Sequence, residues 1–206
     1  MQPPAPAGHP DWYDAPVLTG SLVRLEPLTQ AHAPGWWAAA EDDESFRWLS
    51  IPRPRTPGDA QEQVRQACAA AARGERVPWT QVQPASGRVL GTTSYYELDP
   101  PGRSLAIGHT WLARSAQRTG VNTEAKLLLL TRAFETLGAV RVVWHADIRN
   151  ERSQSAIARL GATREGVLRK HRQRRDGTWR DTVQFSMLDD EWPARKARLL
   201  ARLAAG

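Results

Sequence analysis

The run Gln117-Arg118-Thr119-Gly120-Val121-Asn122-Thr123-Glu124-Ala125-Lys126 lies between two apolar stretches. Before it, Leu105-Ala106-Ile107-Gly108-His109-Thr110-Trp111-Leu112 is strand-like; after it, Leu127 to Leu130 opens an apolar run that carries on to Phe134 and Leu137. The reading is strand, short polar turn, helix. The first turn of such a helix has amide N–H groups with no intrahelical acceptor, and the helix dipole adds partial positive charge there. An anion belongs on it. Gly120 lets the backbone approach closely, and Arg114 and Arg118 add charge beside it, so a phosphate or pyrophosphate is the expected guest. An ordinary glycine-containing turn is the alternative, and the rest of the chain has to decide.

Downstream, Gly138 is the expected αL cap of a helix over 122–137. Residues 140–147 are mostly apolar, as in a strand covered on both faces. Asn150 caps a further helix that Gly161 ends, and residues 162–170 and 179–188 form a hairpin about Asp176-Gly177. An amphipathic helix from Asp190 through Leu199 to Leu203 is fit to pack on the domain or on a second subunit, which makes a homodimer an open expectation.

Upstream, residues 77–82 and 89–98 alternate like antiparallel strands joined by a turn at 84–87. Thr56 and Pro57 start a helix that runs to about Arg73, and 41–55 is a loop carrying Phe46, Trp48 and Ile51. Thr29 caps a helix through Trp36 and Trp37, and 18–28 alternates as the first strand. Residues 1–16, rich in proline, alanine and glycine, form an irregular or disordered arm ahead of a single domain over 17–206.

The chain has 206 residues and 41% hydrophobic content, enough for one domain with a substantial core. No run reaches the ~18 apolar residues of a membrane span. The N-terminus lacks the basic start and apolar core of a secretory signal, so a cytoplasmic protein is expected. The single cysteine, Cys68, excludes an internal disulfide. A net charge of +6 admits nucleic acid, an acidic substrate or a polyphosphate cofactor. The cations are almost all arginine, a bias that often follows genome composition, and it is discounted as a nucleic-acid signal. Trp79, Trp111 and Trp144 read as core, whereas Trp36, Trp37 and Trp48 equally suit the wall of a substrate pocket.

Gln117-x-x-Gly120-x-Asn122 resembles the acyl-CoA pyrophosphate loop of the GNAT superfamily of N-acetyltransferases, with Asn122 where the family usually has Gly or Ala. Asn150-x-x-Ser153-x-x-x-Ile157-x-x-Leu160-Gly161-Ala162-x-x-Glu165-Gly166 is similar to a block of the RimJ/RimL-type branch, which acetylates ribosomal-protein N-termini. The resemblance spans residues 21–187. It implies an α/β fold with a mixed, twisted central sheet splayed at the acetyl-CoA site and flanked by helices. It also implies acetyl-CoA as co-substrate, no metal, an amine acceptor, and nucleic acid only as part of a ribosome-associated substrate.

On this reading the pyrophosphate lies on the main chain of Gln117, Arg118, Thr119, Gly120, Val121 and Asn122. A main-chain donor to the thioester carbonyl comes from residues 110–112, which sets Trp111 and Leu112 against the cofactor. The resemblance offers Ser153 as the acid for the leaving thiolate and gives Asn150 a cofactor contact beside its capping role. A plain cap, with Ser153 bonded to its own helix, is the alternative. The carboxylate bases of related enzymes are absent: Ala106 and Arg172 stand at the matching places. His109, His171, Glu97 and Asp181 remain as candidate bases. Deprotonating an α-amine at pH 7 costs about 1 kcal/mol against about 4.6 kcal/mol for a lysine, so a weak base suits an acceptor of low pKa such as a peptide N-terminus or a small-molecule amine. The rivals are a non-catalytic acyl-CoA-binding module and a basic RNA-binding protein that uses the run 169–175.

Overall fold

The computed structural model describes residues 11–205, and within them the strands form one sheet. These are β1 (Leu18–Thr19), β2 (Arg24–Pro27), β3 (Arg76–Val82), β4 (Val89–Asp99), β5 (Ser104–Leu112), β6 (Arg141–Asp147), β7 (Thr163–Gln173) and β8 (Trp179–Leu188). Their order is β1-β2-β3-β4-β5-β6-β8-β7, and every pairing is antiparallel except β5 with β6. That parallel pair holds only at Ser104–Ala106 against Arg141–Val143. Beyond it β5 stays with β4 to Leu112 while β6 stays with β8 to Asp147. The sheet therefore opens as a V between Ile107 and Trp144, leaving the facing edge of β5 without a strand partner.

Helices pack on both faces. On one, α3 (Val121–Thr131) buries Ala125, Leu129 and Leu130, and a π turn over Arg132–Thr136 continues it to Gly138, whose φ of 67° ends it as a left-handed cap. The C-terminal helix α5 (Trp192–Ala204) lies against α3, with Trp192 stacked on Phe134 at 5.4 Å. This docks the amphipathic helix on its own domain. On the other face, α1 (Ala33–Ala39) and α2 (Pro57–Ala72) form a second core around Trp36, which meets Trp111 edge-on at 5.1 Å. A capping box between Thr56 and Asp59 starts α2 where Thr56-Pro57 predicts it. Between β6 and β7, α4 (Glu151–Arg159) begins at Asn150.

Two expectations need correction. The alternating run 18–28 is two strands, because the carboxylate of Glu124 gathers the chain at 21–23 into a hairpin. It accepts from Ser21 N (2.9 Å), Ser21 Oγ (2.8 Å), Leu22 N (2.6 Å) and Val23 N (2.8 Å). Strand β6 is buried on one side only: Val142, Trp144 and Ala146 face the core, while Arg141, Val143 and His145 face a half-open polar side. The expected arm 1–16 lies outside the described residues over 1–10, but 11–16 is irregular chain tied to the domain. Arg132 donates to Asp11 O (3.0 Å) and Asp14 O (3.1 Å), and Trp79 Nε1 to Pro16 O (2.9 Å). Among the described residues no helix is long and apolar enough to cross a membrane.

Candidate active site

The open end of the V is framed by the starts of α3 and α4. A short 3-10 turn, Arg114–Ala116, leads from β5 to the polar loop, where Arg118 adopts a left-handed φ of 61°. Of the loop amides, Gln117 N is spent on Arg114 O (3.1 Å) and Val121 N on Thr119 Oγ1 (3.3 Å). Those of Arg118, Thr119, Gly120, Asn122 and Thr123 reach no acceptor among the described residues. Five free donors at a helix start, with Arg114 and Arg118 exposed beside them, have the chemistry of a phosphate cradle. These residues fit the diphosphate of an acyl-CoA.

Two loop residues do something other than their sequence suggests. Gly120 has an ordinary φ of −69°, and a Cβ there would come within 2.5 Å of Leu22 Cδ1 and 3.4 Å of Leu203 Cδ2. Its lack of a side chain serves packing against the hairpin and α5. Gln117 uses its side chain as a brace: Nε2 donates to Ser45 Oγ (2.8 Å) and Leu112 O (3.0 Å), while Oε1 accepts from Arg152 (3.0 Å) on α4. One amide group thus joins the 41–55 loop, β5 and the far side of the V. The side chains of Trp111 and Leu112 are buried in the two cores. At the start of α4, Asn150 Oδ1 accepts from Ser153 N (3.0 Å). The Ser153 hydroxyl makes no hydrogen bond among the described residues, so it does not bond back to its own helix.

A cleft of about 610 Å³ opens on the α1/α2 face. Its lining includes Tyr96, His109, Trp111, Arg76 and Arg172. The register of β4 and β5 slips opposite His109, whose φ is 49°, and Glu97 also stands at 49°. Left-handed backbone at a non-glycine residue costs on the order of 1 kcal/mol, and here it occurs where two strands aim side chains into a cavity. Tyr96 packs edge-on to His109 at 5.2 Å and its hydroxyl meets His145 Nδ1 at 3.0 Å. His145 Nε2 meets Gln184 Oε1 at 3.3 Å, and Gln184 Nε2 donates to Glu165 (2.9 Å). With Nε2 the protonated nitrogen, Nδ1 offers its lone pair to the phenol.

The candidate bases fare differently. Burial, with Arg76 and Arg172 nearby, brings His109 down to about 4. More than a third of its surface is nonetheless open to water, so the secure content of that shift is its direction, a neutral ring at pH 7. Burial also lowers His145, against the opposing pull of Glu97, and His171 is lowered by burial and by Arg172. His171 stands exposed with its ring 5.5 Å from that of His145. Glu97 is engaged by Arg172 (2.8 Å) and lies 3.6 Å from His145 Nδ1. Asp181 accepts from Lys170 N (2.7 Å) at the bulge of β7 and is not part of the cleft lining. Sequence reasoning missed Tyr96 and His145. The one available signal was an imidazole inside the apolar run 140–147.

The model of the Acetyltransferase (GNAT) domain family matches residues 23–163. YdaF of Bacillus subtilis (strain 168), assigned as a ribosomal N-acetyltransferase, is 34% identical over 115 residues, 53% of this chain and 59% of that one. A crystal structure from T. thermophilus, assigned as an acetyltransferase, is 42% identical with a TM-score of 0.82, covering 94% of this chain and 100% of its own. Mycobacterium smegmatis RimJ, solved in complex with CoA-disulfide, shares the fold at 23% identity and a TM-score of 0.76, over 94% and 97% of the two chains. With its open V, its cradle of free amides and a domain match over most of its length, this chain belongs to the GNAT acetyltransferase family, where its sequence resembles the RimJ/RimL-type branch.

Proposed function

We propose that the protein transfers an acetyl group from acetyl-CoA to a primary amine of low pKa, a peptide N-terminus or a small-molecule amine, by direct attack in a ternary complex. The observation that carries this is the row of unpaired amides at the start of α3 beside the opened edge of β5. Bound acetyl-CoA supplies an activated thioester. The amides of Arg118, Thr119, Gly120, Asn122 and Thr123 would hold its diphosphate, with Arg114 and Arg118 adding charge. The free edge of β5 at 110–112 supplies main-chain donors for the carbonyl. The acceptor enters from the cleft, where the Tyr96 hydroxyl, bonded to His145, takes up the amine's surplus proton and passes its own to Nδ1. The unpartnered Ser153 hydroxyl is the donor for the departing thiolate.

Support for the α-amine comes from the base. The cleft is lined by a neutral His109, with the neutral His145 bonded to Tyr96, and Glu97 is already ion-paired, so it favours an amine that loses its proton near pH 7. The basic run 169–175 lends the RNA-binding rival little, because three of its arginines are engaged: Arg172 with Glu97, Arg174 with Asp147 (2.6 Å) and Arg175 with Phe46 O (3.2 Å).

The test pairs binding with turnover. Acetyl-CoA at a hundredfold excess over its dissociation constant should stabilise the protein by about 2.7 kcal/mol, with unrelated nucleotides inert. Thiol release should then be seen with N-terminal peptides and not with the same peptides blocked at the N-terminus and carrying an internal lysine. Good lysine acetylation with free N-termini untouched overturns the acceptor assignment. Stabilisation without thiol release from any amine makes the protein an acyl-CoA-binding module.

A further inference from the structure

Arg76 opens β3 directly across from Tyr96 on β4, so the two side chains share a sheet face and both line the cleft. Its guanidinium is mostly enclosed, and its Nε is buried without a partner. Among the described residues it makes no hydrogen bond or ion pair. The two carboxylates of the same wall are committed elsewhere. Glu75 takes Arg73 in a paired contact at 2.5 and 2.9 Å, and Glu97 takes Arg172 at 2.8 Å. A second lining residue, Trp111, also has a buried indole N–H with no acceptor.

Glu75 attracts Arg76 only from a distance, because its oxygens are taken by Arg73, and an enclosed cation with no directly bonded carboxylate is unfavourable in the free protein until an anion arrives. Arginine suits that role, because its planar fork meets carboxylate or phosphate oxygens two at a time. The neighbouring imidazoles are neutral at pH 7 and cannot supply the missing charge.

We propose that Arg76 is the receptor for an oxyanion carried by the acceptor, so the preferred substrate is an amine with a carboxylate or phosphate close to its nitrogen. This rests on the acetyl-transfer reading for the cleft as the acceptor's entrance. An N-terminus followed by Asp, Glu or a phosphorylated residue fits. A polyamine, or an N-terminus followed by Lys or Arg, meets like charge and is rejected.

The experiment measures kcat and KM for acetyl transfer to four peptides that differ only at the second residue: aspartate, phosphoserine, asparagine and lysine. Wild-type protein should prefer an anionic peptide over the asparagine one by roughly ten- to hundredfold in kcat/KM, mostly in KM, with lysine worst. The aspartate and phosphoserine arms tell which oxyanion fits. In Arg76→Gln the preference should collapse to within about threefold, and Arg76→Glu should favour the lysine peptide. Arg76→Lys keeps the charge without the fork and should retain part of the preference, which separates this contact from a merely structural role. An indifferent wild-type enzyme, or a preference that survives Arg76→Gln, overturns the proposal. Peptide titrations in the presence of CoA read the same contact without turnover. If no peptide is acetylated yet aspartate or phosphoserine peptides bind through Arg76, the transferase reading fails and this one stands.

Discussion

The two halves of the site are built from different material. The candidate phosphate cradle is main chain: the free amides of Arg118 and Thr119 in the turn before α3, and those of Gly120, Asn122 and Thr123 at its cap and first turn. The cleft is side chain: Tyr96, His109 and Arg76 line it from three strands, with His145 bonded to Tyr96 from a fourth, and a register slip and left-handed backbone fall at His109. On the proposed reading the cradle should tolerate exchange of its side chains, because the ligand would meet peptide groups. The cleft should not, since each of its functions resides in one residue.

The largest effect should come from cutting the cradle loose from the hairpin that backs it. Glu124→Ala leaves the amides of Leu22 and Val23 and both donors of Ser21 without their acceptor. Stability should fall by about 3 kcal/mol, read as a lower urea midpoint at unchanged slope. Acetyl-CoA affinity should weaken with it, because Leu22 packs against Gly120. An unchanged midpoint would mean that the hairpin holds without the carboxylate. The same packing makes Gly120→Glu a poor probe of the diphosphate site, since the new side chain meets Leu22 and Leu203 first.

The cleft is broken without touching the cradle by His145→Gln, which keeps a polar group near Tyr96 but removes the titrating nitrogen. Expected are a loss of about a hundredfold in kcat and an undiminished thermal shift with acetyl-CoA. The low-pH limb of kcat in the wild type should lie below 6.5, because burial depresses this imidazole and the base must be unprotonated. Loss of that limb in the variant supports the Tyr96–His145 pair. Its persistence moves the base elsewhere.

The smallest effect falls between the two regions. Lys126 on α3 is buried, with Nζ bonded to Thr93 and Thr110 at 2.8 Å each and no acidic partner among the described residues. Burial brings its pKa from 10.5 down to about 7. The unfolded chain therefore holds a proton that the folded one sheds, so stability is full above pH 10.5 and declines as pH falls toward 7. Lys126→Met should raise stability at pH 7 by about 1 kcal/mol and flatten that slope, leaving the two threonine hydroxyls bonded to each other at 2.9 Å. A variant less stable at pH 7 would assign the lysine a supporting role for β5.

Legibility follows the same division. The caps at Thr56 and Asn150, the hairpin about Asp176-Gly177 and the turn before α3 stand where the sequence puts them, because their hydrogen bonds close within three or four residues. The break in 18–28 was not visible, because its cause, Glu124, is about a hundred residues away. The bracing by Gln117 depends on Ser45 and Arg152, which approach it only once the V is formed.

The sequence by itself determined that a strand feeds a helix through a turn whose amides have no partner within the helix, a place suited to an anion; backbone donors are set by local dihedrals, which neighbouring residues specify. Only the tertiary structure decided that Tyr96 meets His145 across 49 residues, and that Arg76 is left without a directly bonded partner among the described residues in the wall of the cleft. Pairing between side chains is settled by how distant elements pack, and a charge counts as unpaired only after every possible partner has been positioned.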